Sequence, residues 1–199
     1  MKFDYIIIGA GSAGCVLSNR LSENQNNKVA VFEAGGSSDI WKVKMPLALL
    51  YTMHDPKYNW KYYSEPEPHL NNRRLFCPRG KMIGGCSAHN GMVFVRGNRN
   101  DYERWENFGL KSWSYEKILP YFKKIEKWSG GENQYRGSFG LLPVDQSKND
   151  NPLFNAFLGA ASEAGHKINP DINGEYQEGF GMFDTTIHNG ERASVAKYY

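Results

Sequence analysis

Gly9, Gly11 and Gly14 are spaced as G-x-G-x-x-G, with Ser12 and Ala13 inside the motif, and Glu33 follows Gly14 by 19 positions. These residue types in this order suit the binding of a dinucleotide diphosphate and its ribose. Gly9 allows a tight turn out of a strand. Gly11 lets a diphosphate approach bare backbone, and Gly14 lets a helix pack close to the sheet. A helix opening there offers free N–H groups and a positive dipole end to phosphate. The Glu33 carboxylate suits both hydroxyls of an adenosine ribose. The alternative is a strand-turn-helix whose glycines serve only the turn.

A second glycine-rich stretch runs over residues 79–98 and contains Gly80, Gly84, Gly85, Gly91 and Gly97. Its glycines again allow close backbone approach to a ligand. Arg79 and Lys81 have the charge to balance a diphosphate. Together with Arg73 and Arg74 they also fit a solvated basic face.

The elements that must position these residues follow from local pattern. Residues 3–8 (Phe-Asp-Tyr-Ile-Ile-Ile) form the short apolar run of a buried parallel strand. Val16, Leu17 and Leu21 mark a helix, residues 24–27 a polar break, and residues 28–32 a second strand ending at Glu33. Residues 39–78 are rich in aromatics and prolines and lack strong periodicity. A structureless loop of that length is unusual, so the segment is expected to wrap over something, with a short helix near residues 46–53. A cofactor lid and an ordinary surface excursion both fit its composition. Further helices are predicted over residues 101–108, stopped by Gly109, and from a Ser114 cap to Trp128 with a restart at Pro120. Another starts at Asn151-Pro152 and stops at Gly165, with Leu153, Phe154, Phe157, Leu158 and Ala161 on one face. Residues 141–144 and 182–188 are predicted strands, the second reaching an Asn189-Gly190 turn. A helix is predicted to begin within residues 192–199.

The whole-chain numbers set bounds. The 199 residues allow one large or two small domains, and 40% hydrophobic content with 14% aromatic supports a packed core. A net charge of +3 argues against a dedicated nucleic-acid binder and leaves a small anionic ligand open. Cys15, Cys77 and Cys86 are odd in number and lack metal spacing, which fits a reduced compartment and no metal site. No signal peptide is expected, and no apolar run approaches the ~20 residues of a membrane helix. A cytoplasmic location, with peripheral membrane contact as an option, is the expectation.

The two glycine-rich stretches together resemble those of the glucose-methanol-choline oxidoreductases, flavoenzymes that oxidise alcohols. The matching residues are Gly9 to Gly14 with Glu33-Ala34-Gly35, then Gly80-Lys81-Met82-Ile83-Gly84-Gly85, Asn90-Gly91-Met92 and Arg96-Gly97. Asp101-Tyr102 with Trp105, Leu119-Pro120-Tyr121-Phe122 and Glu178-Gly179-Phe180-Gly181 extend the likeness over the whole chain. Within the family it looks most like the choline dehydrogenase branch. The resemblance implies an α/β fold: a three-layer, Rossmann-like FAD-binding domain with a parallel sheet (residues 1–145) and the beginning of an α+β substrate domain (residues 146–199), incomplete at the C-terminus. It implies FAD as cofactor. Gly9, Gly11, Ser12, Ala13, Gly14, Glu33 and Ala34 would hold the ADP half. Met82, Gly84, Gly85, His89, Asn90, Gly91, Met92 and Val93 would lie along the diphosphate, ribitol and flavin.

Two departures carry chemistry. The family usually has Ser where this chain has Cys86, and an aliphatic residue where it has His89. The Gly84-Gly85-Cys86-Ser87-Ala88-His89-Asn90 run looks like the choline oxidase version, in which the histidine bonds to the 8-methyl group of FAD. His89 is therefore expected as a covalent attachment site, or else as a histidine packed near the ring. Cys86 is expected as a small backbone-fitting residue more than a reactive thiol, and Cys15 as packed and inert. His54, His69, His166 and His188 have no motif partners. The family's late catalytic histidine and its partner have no match here, so no catalytic residue is assigned. The chain reads as the N-terminal part of a longer enzyme, inactive and aggregation-prone alone. The substrate class is a small alcohol, with choline an option; oligomeric state is left open. Competing readings are a non-catalytic nucleotide-binding or structural module and an NAD-dependent enzyme, the latter disfavoured by the second glycine-rich stretch.

Overall fold

The structure, a computed structural model, describes residues 2–148 and 150–199. It is α/β, with mixed sheets, and it divides into two compact units: residues 1–92 with 189–199, and residues 93–188.

The first unit begins as the alternation of apolar runs and glycines dictates. Strand β1 (Tyr5–Ile8), helix α1 (Ser12–Ser22) and strand β2 (Val29–Phe32) form a strand-helix-strand unit. The strands pair in parallel, Tyr5 opposite Val29 through Ile8 opposite Phe32. Successive side chains of a strand point to opposite faces. Ile7 is buried, and a Cβ at Gly14 of α1 would lie 3.4 Å from its Cγ2. Ile6 and Ile8 point the other way and are 60% and 81% exposed. The expected fully buried strand is thus buried on one face only, because α1 covers one face only.

The aromatic segment is ordered. It carries helices α2 (Trp41–Lys44) and α3 (Leu49–His54), the latter preceded by a 3-10 turn at Pro46–Ala48. Strands β3 (Tyr62–Tyr63) and β4 (Phe76–Cys77) follow as an antiparallel pair. Met82 anchors a core cluster with Val43, Tyr58 and Ala88. The unit closes with residues 189–199. Asn189 and Gly190 both have positive φ (52° and 77°), as a tight two-residue turn requires. A short helix, Val195–Tyr198, follows and packs Val195 against Ala10 and Cys15.

The second unit holds a four-stranded sheet of β5 (Val93–Phe94), β6 (Glu126–Trp128), β7 (Leu142–Gln146) and β8 (Asp184–Thr185), in the order β5-β8-β7-β6. Helix α4 (Arg99–Asn107) is capped by the Asn98 side chain. Helix α5 (Tyr115–Ile125) runs through Pro120 without a restart and stops three residues short of the expected Trp128. The reason is electrostatic. Glu126 leaves the helix for a strand and is fully buried, where it accepts from Arg96 Nη2 (2.7 Å), Arg136 Nε (3.1 Å) and the Gly137 amide (2.7 Å). Arg136, also fully buried, reaches Asp171 (2.5 Å) and Asp184 (2.7 Å) and lies 4.1 Å over the Trp128 ring. Helix α6 (Pro152–Glu163) starts on its Asn151 cap as expected, but of its predicted apolar face only Ala161 is buried.

Among the described residues no helix is long and apolar enough to cross a membrane. No group of three or more His, Cys, Asp or Glu side chains there is placed to hold a metal.

Two outcomes follow from this packing. Arg136→Met is expected to destabilise the second unit by ~3–5 kcal/mol, since it removes the ion-pair partner of Asp171 and Asp184 and leaves Glu126 with Arg96 alone. Urea unfolding measures this, and a loss near zero would contradict the network's role. Ile8→Lys is expected to reduce aggregation and apolar-dye binding of the 199-residue chain while changing stability by less than ~0.5 kcal/mol. Unchanged dye binding would show that another surface is responsible.

Candidate functional site

The first glycine motif folds as its residue types require. Gly9 has φ +94°, a conformation that favours glycine. A Cβ at Gly14 would fall 2.0 Å from the Gly9 carbonyl oxygen, so only glycine lets α1 sit this close to the turn. Gly11, the N-cap of α1, differs: a Cβ there meets nothing within 4 Å. No side chain caps α1, its first turn contains no acid, and Ser12 and Ala13 are exposed. The positive end of the helix dipole is therefore left for an anion.

Glu33 stands at the end of β2, in the place the spacing predicts, and has a structural task as well. Its Oε2 accepts from the Ala10 amide and its Oε1 from the Gly35 amide, both at 2.8 Å. The carboxylate thus ties the glycine turn to the β2 exit. Each oxygen keeps lone-pair capacity for a second donor such as a ribose hydroxyl. Ala34 beside it is exposed.

The second glycine-rich stretch lies directly on the first. The Gly84 amide donates to the Ala10 carbonyl at 2.7 Å, and the Ile83 amide to the Gly36 carbonyl at 3.0 Å. Gly85 is left-handed (φ +50°), and a Cβ on it would come within 2.7 Å of Gly11 Cα. A Cβ at Gly35 would overlap the Lys81 carbonyl oxygen at 2.0 Å. Met82 is 0% exposed and lies in the core cluster with Val43, Tyr58 and Ala88. Cys15 also matches its expected inert character: burial raises its thiol pKa, and the thiol donates to the Ala10 carbonyl at 3.3 Å.

Beyond a 3-10 turn at Gly85–Ala88, His89 is 4% exposed. Its pKa is lowered first by burial and then by the charges of Arg192 and Arg79, so the ring is neutral at pH 7. Its Nδ1 is buried and has no hydrogen-bond partner among the described residues. Asn90 and Gly91 are exposed. Met92 is left-handed (φ +61°), a conformation held by its amide donating to Asn90 Oδ1 at 3.1 Å. Val93 opens the second unit, whereas the other expected site residues lie in the first.

The FAD implied by the resemblance can be tested against these residues. An uncapped helix start, free space at Gly11 and a buried imidazole nitrogen without a partner all fit such a group. Sequence reasoning missed two residues that build the site. Ser87 Oγ donates to the Gly84 carbonyl (2.6 Å) and accepts from the Val195 amide (3.1 Å). Arg192 binds the Asn90 carbonyl (2.7 Å) and Asn90 Oδ1 (2.9 Å). Both act over about a hundred residues of chain, and no local pattern signals that. Among the other histidines, His188 Nδ1 is 2.8 Å from Asp145, a partner no motif indicated.

The family described as GMC oxidoreductase matches residues 3–199. The oxygen-dependent choline dehydrogenase of Sinorhizobium fredii (strain NGR234) is 51% identical over 199 residues, and that of Vibrio vulnificus (strain YJ016) is 48% identical. The match takes in 100% and 99% of this chain respectively, but only 36% of each relative, so the chain spans about a third of their length. Among solved structures, pyridoxine 4-oxidase from Mesorbium loti superposes with a TM-score of 0.92 at 29% identity, covering 100% of this chain and 39% of that one. Formate oxidase of Aspergillus oryzae RIB40 gives 0.87 at 26% identity, covering 98% and 36%.

The two glycines with opposite surroundings separate binding from folding. Gly11→Val is expected to leave the melting temperature of the chain nearly unchanged while abolishing FAD binding by the full-length protein. Gly14→Ala is expected to lower the melting temperature itself. Equal melting temperatures for the two variants would show that the close approach at Gly14 is relieved at no cost.

Proposed function

This chain belongs to the GMC oxidoreductase family, and on that premise we propose that it forms the cofactor-holding part of an enzyme that oxidises an alcohol to an aldehyde with FAD. The observation that carries this reading is the seating of the second glycine-rich stretch on the first, through Gly84 on Ala10 and Gly85 on Gly11. A nicotinamide site has no need of that second layer.

In this reading Gly9, Gly11, Ser12, Ala13, Gly14, Glu33 and Ala34 hold the ADP half. Gly84, Gly85, Asn90, Gly91 and the backbone of Met92 follow the rest of the cofactor. FAD, when bound, supplies the acceptor for a hydride from the alcohol carbon, and the protein supplies orientation and electrostatics. His89 is the attachment point to the 8-methyl group: a neutral, desolvated imidazole with an unpartnered nitrogen suits a nucleophile better than a solvated cation. The alcohol is choline or a near relative, by the name of relatives at about half identity. No residue of this chain is assigned as the catalytic base.

The strand-helix-strand unit is the opening of a three-layer Rossmann-like domain, and the chain works as the N-terminal part of a longer enzyme, as its 36% share of its relatives' length suggests. Residues 1–145 then belong to the FAD domain and 146–199 to the start of the substrate domain. The compact units cut the chain at residue 93 and return at 189. A cytoplasmic location, with peripheral membrane contact as an option, completes the reading. Cys15, Cys77 and Cys86 are all free, as a reducing compartment favours.

The test uses the full-length protein encoded by the complete reading frame. Purified protein is expected to show the absorption bands of oxidised flavin, which choline bleaches without oxygen. Denatured on an SDS gel, its band is expected to fluoresce under ultraviolet light. A colourless protein that binds NAD overturns the function. A yellow protein whose flavin leaves on acid precipitation overturns only the bond to His89. Peroxide formed with choline in air assigns oxidase activity.

A further inference from the structure

Arg192 stands out against every other buried cation of the chain. It is 2% exposed, and among the described residues it makes no ion pair with a carboxylate. Burial alone pushes its pKa down to about 10. Its Nε donates to the Val43 carbonyl at 3.0 Å, and its Nη1 donates to the carbonyl and Oδ1 of Asn90 at 2.7 and 2.9 Å. Its Nη2 is buried with no hydrogen-bond partner among the described residues. A buried charge with no counter-ion and an idle donor is unfavourable unless something else meets it.

The connections of Arg192 point to what that is. Asn90 Oδ1 accepts from both Arg192 Nη1 and the Met92 amide, so the guanidinium fixes the side chain that holds Met92 left-handed. Ser87, one turn earlier, receives the Val195 amide. The segment from Ser87 to Met92 is thereby pinned from residues 192–195. The charge of Arg192 also acts on His89 in that same segment.

We propose that Arg192 is a positioning residue that sets the Ser87–Met92 segment against the flavin and presents it with an uncompensated positive charge. The inference rests on the FAD reading above. Reduction brings negative charge onto the bound flavin, and a buried cation close by favours that state. Arg192 therefore raises the flavin midpoint potential, and its fork of donors fixes the backbone along which the flavin lies.

The experiment uses the full-length flavoprotein and reads flavin content and midpoint potential by dye equilibration. Arg192→Met is expected to lower the potential. Arg192→Lys keeps the charge but not the fork. It is expected to hold the potential near that of the parent while incorporating less FAD per chain during folding. Asn90→Asp supplies the missing counter-ion and keeps an acceptor for the Met92 amide, so it is expected to lower the potential in a folded protein. Potentials for Arg192→Met and Asn90→Asp that match the parent overturn the proposal. A parent protein without flavin strikes the FAD reading itself, which separates the two failures.

Discussion

A Cβ on Gly85 would lie 2.7 Å from Gly11 Cα, and one on Gly35 2.0 Å from the Lys81 carbonyl oxygen. The first unit depends on this backbone-to-backbone approach. Side chains at these places would hold the two stretches apart and break the Gly84–Ala10 and Ile83–Gly36 hydrogen bonds. With glycine at each, two stretches distant in sequence form one surface whose polar groups are backbone amides and carbonyls. Such a surface suits a long ligand that lies flat along it more than a compact one bound in a side-chain cage.

Glu33 shows how the approach is kept in register. Its two oxygens hold the Ala10 and Gly35 amides. The Ala10 carbonyl receives the Gly84 amide, and Gly35 lies against Lys81. One carboxylate therefore fixes both contact points at which the second stretch lands. Loss of Glu33 therefore loosens the landing site itself.

How much of this was legible in the sequence depends on the range of the interactions. The turn at Gly9, the close packing at Gly14, the Asn151 cap and the Asn189-Gly190 turn follow from residues within a few positions of one another, and the place of Glu33 follows from its spacing of 19 positions after Gly14. The end of helix α5 is not legible because Glu126 is drawn out of the helical pattern by Arg96 and Arg136, and neither arginine carries a local signal. The one-sided burial of β1 is not legible because periodicity reports that a residue is apolar, not whether an element covers it. Ser87 and Arg192 escaped for the same reason as Glu126, since their partners are distant in the chain.

Among the described residues Arg136 and Arg192 are the two most buried arginines, and their surroundings are opposite. Burial works to lower the Arg136 pKa, but hydrogen bonds and charge from Glu126, Asp184 and Asp171 outweigh it, and the net shift is upward. Arg192 is buried to a similar degree and has no such partners, and burial lowers its pKa to about 10; burial also lowers that of Arg96, whose charge is met by Glu126, so what sets Arg192 apart is its missing counter-ion. A structural network satisfies its charges within itself, as Arg136 does with three carboxylates and the Trp128 ring. A guanidinium with carbonyl partners alone is satisfied as a hydrogen-bond donor but not as a charge. Backbone carbonyls at Val43 and Asn90 explain why it stays in place. They leave its charge as a field directed into the unit that holds His89, and an electron-accepting group bound there would make use of that field.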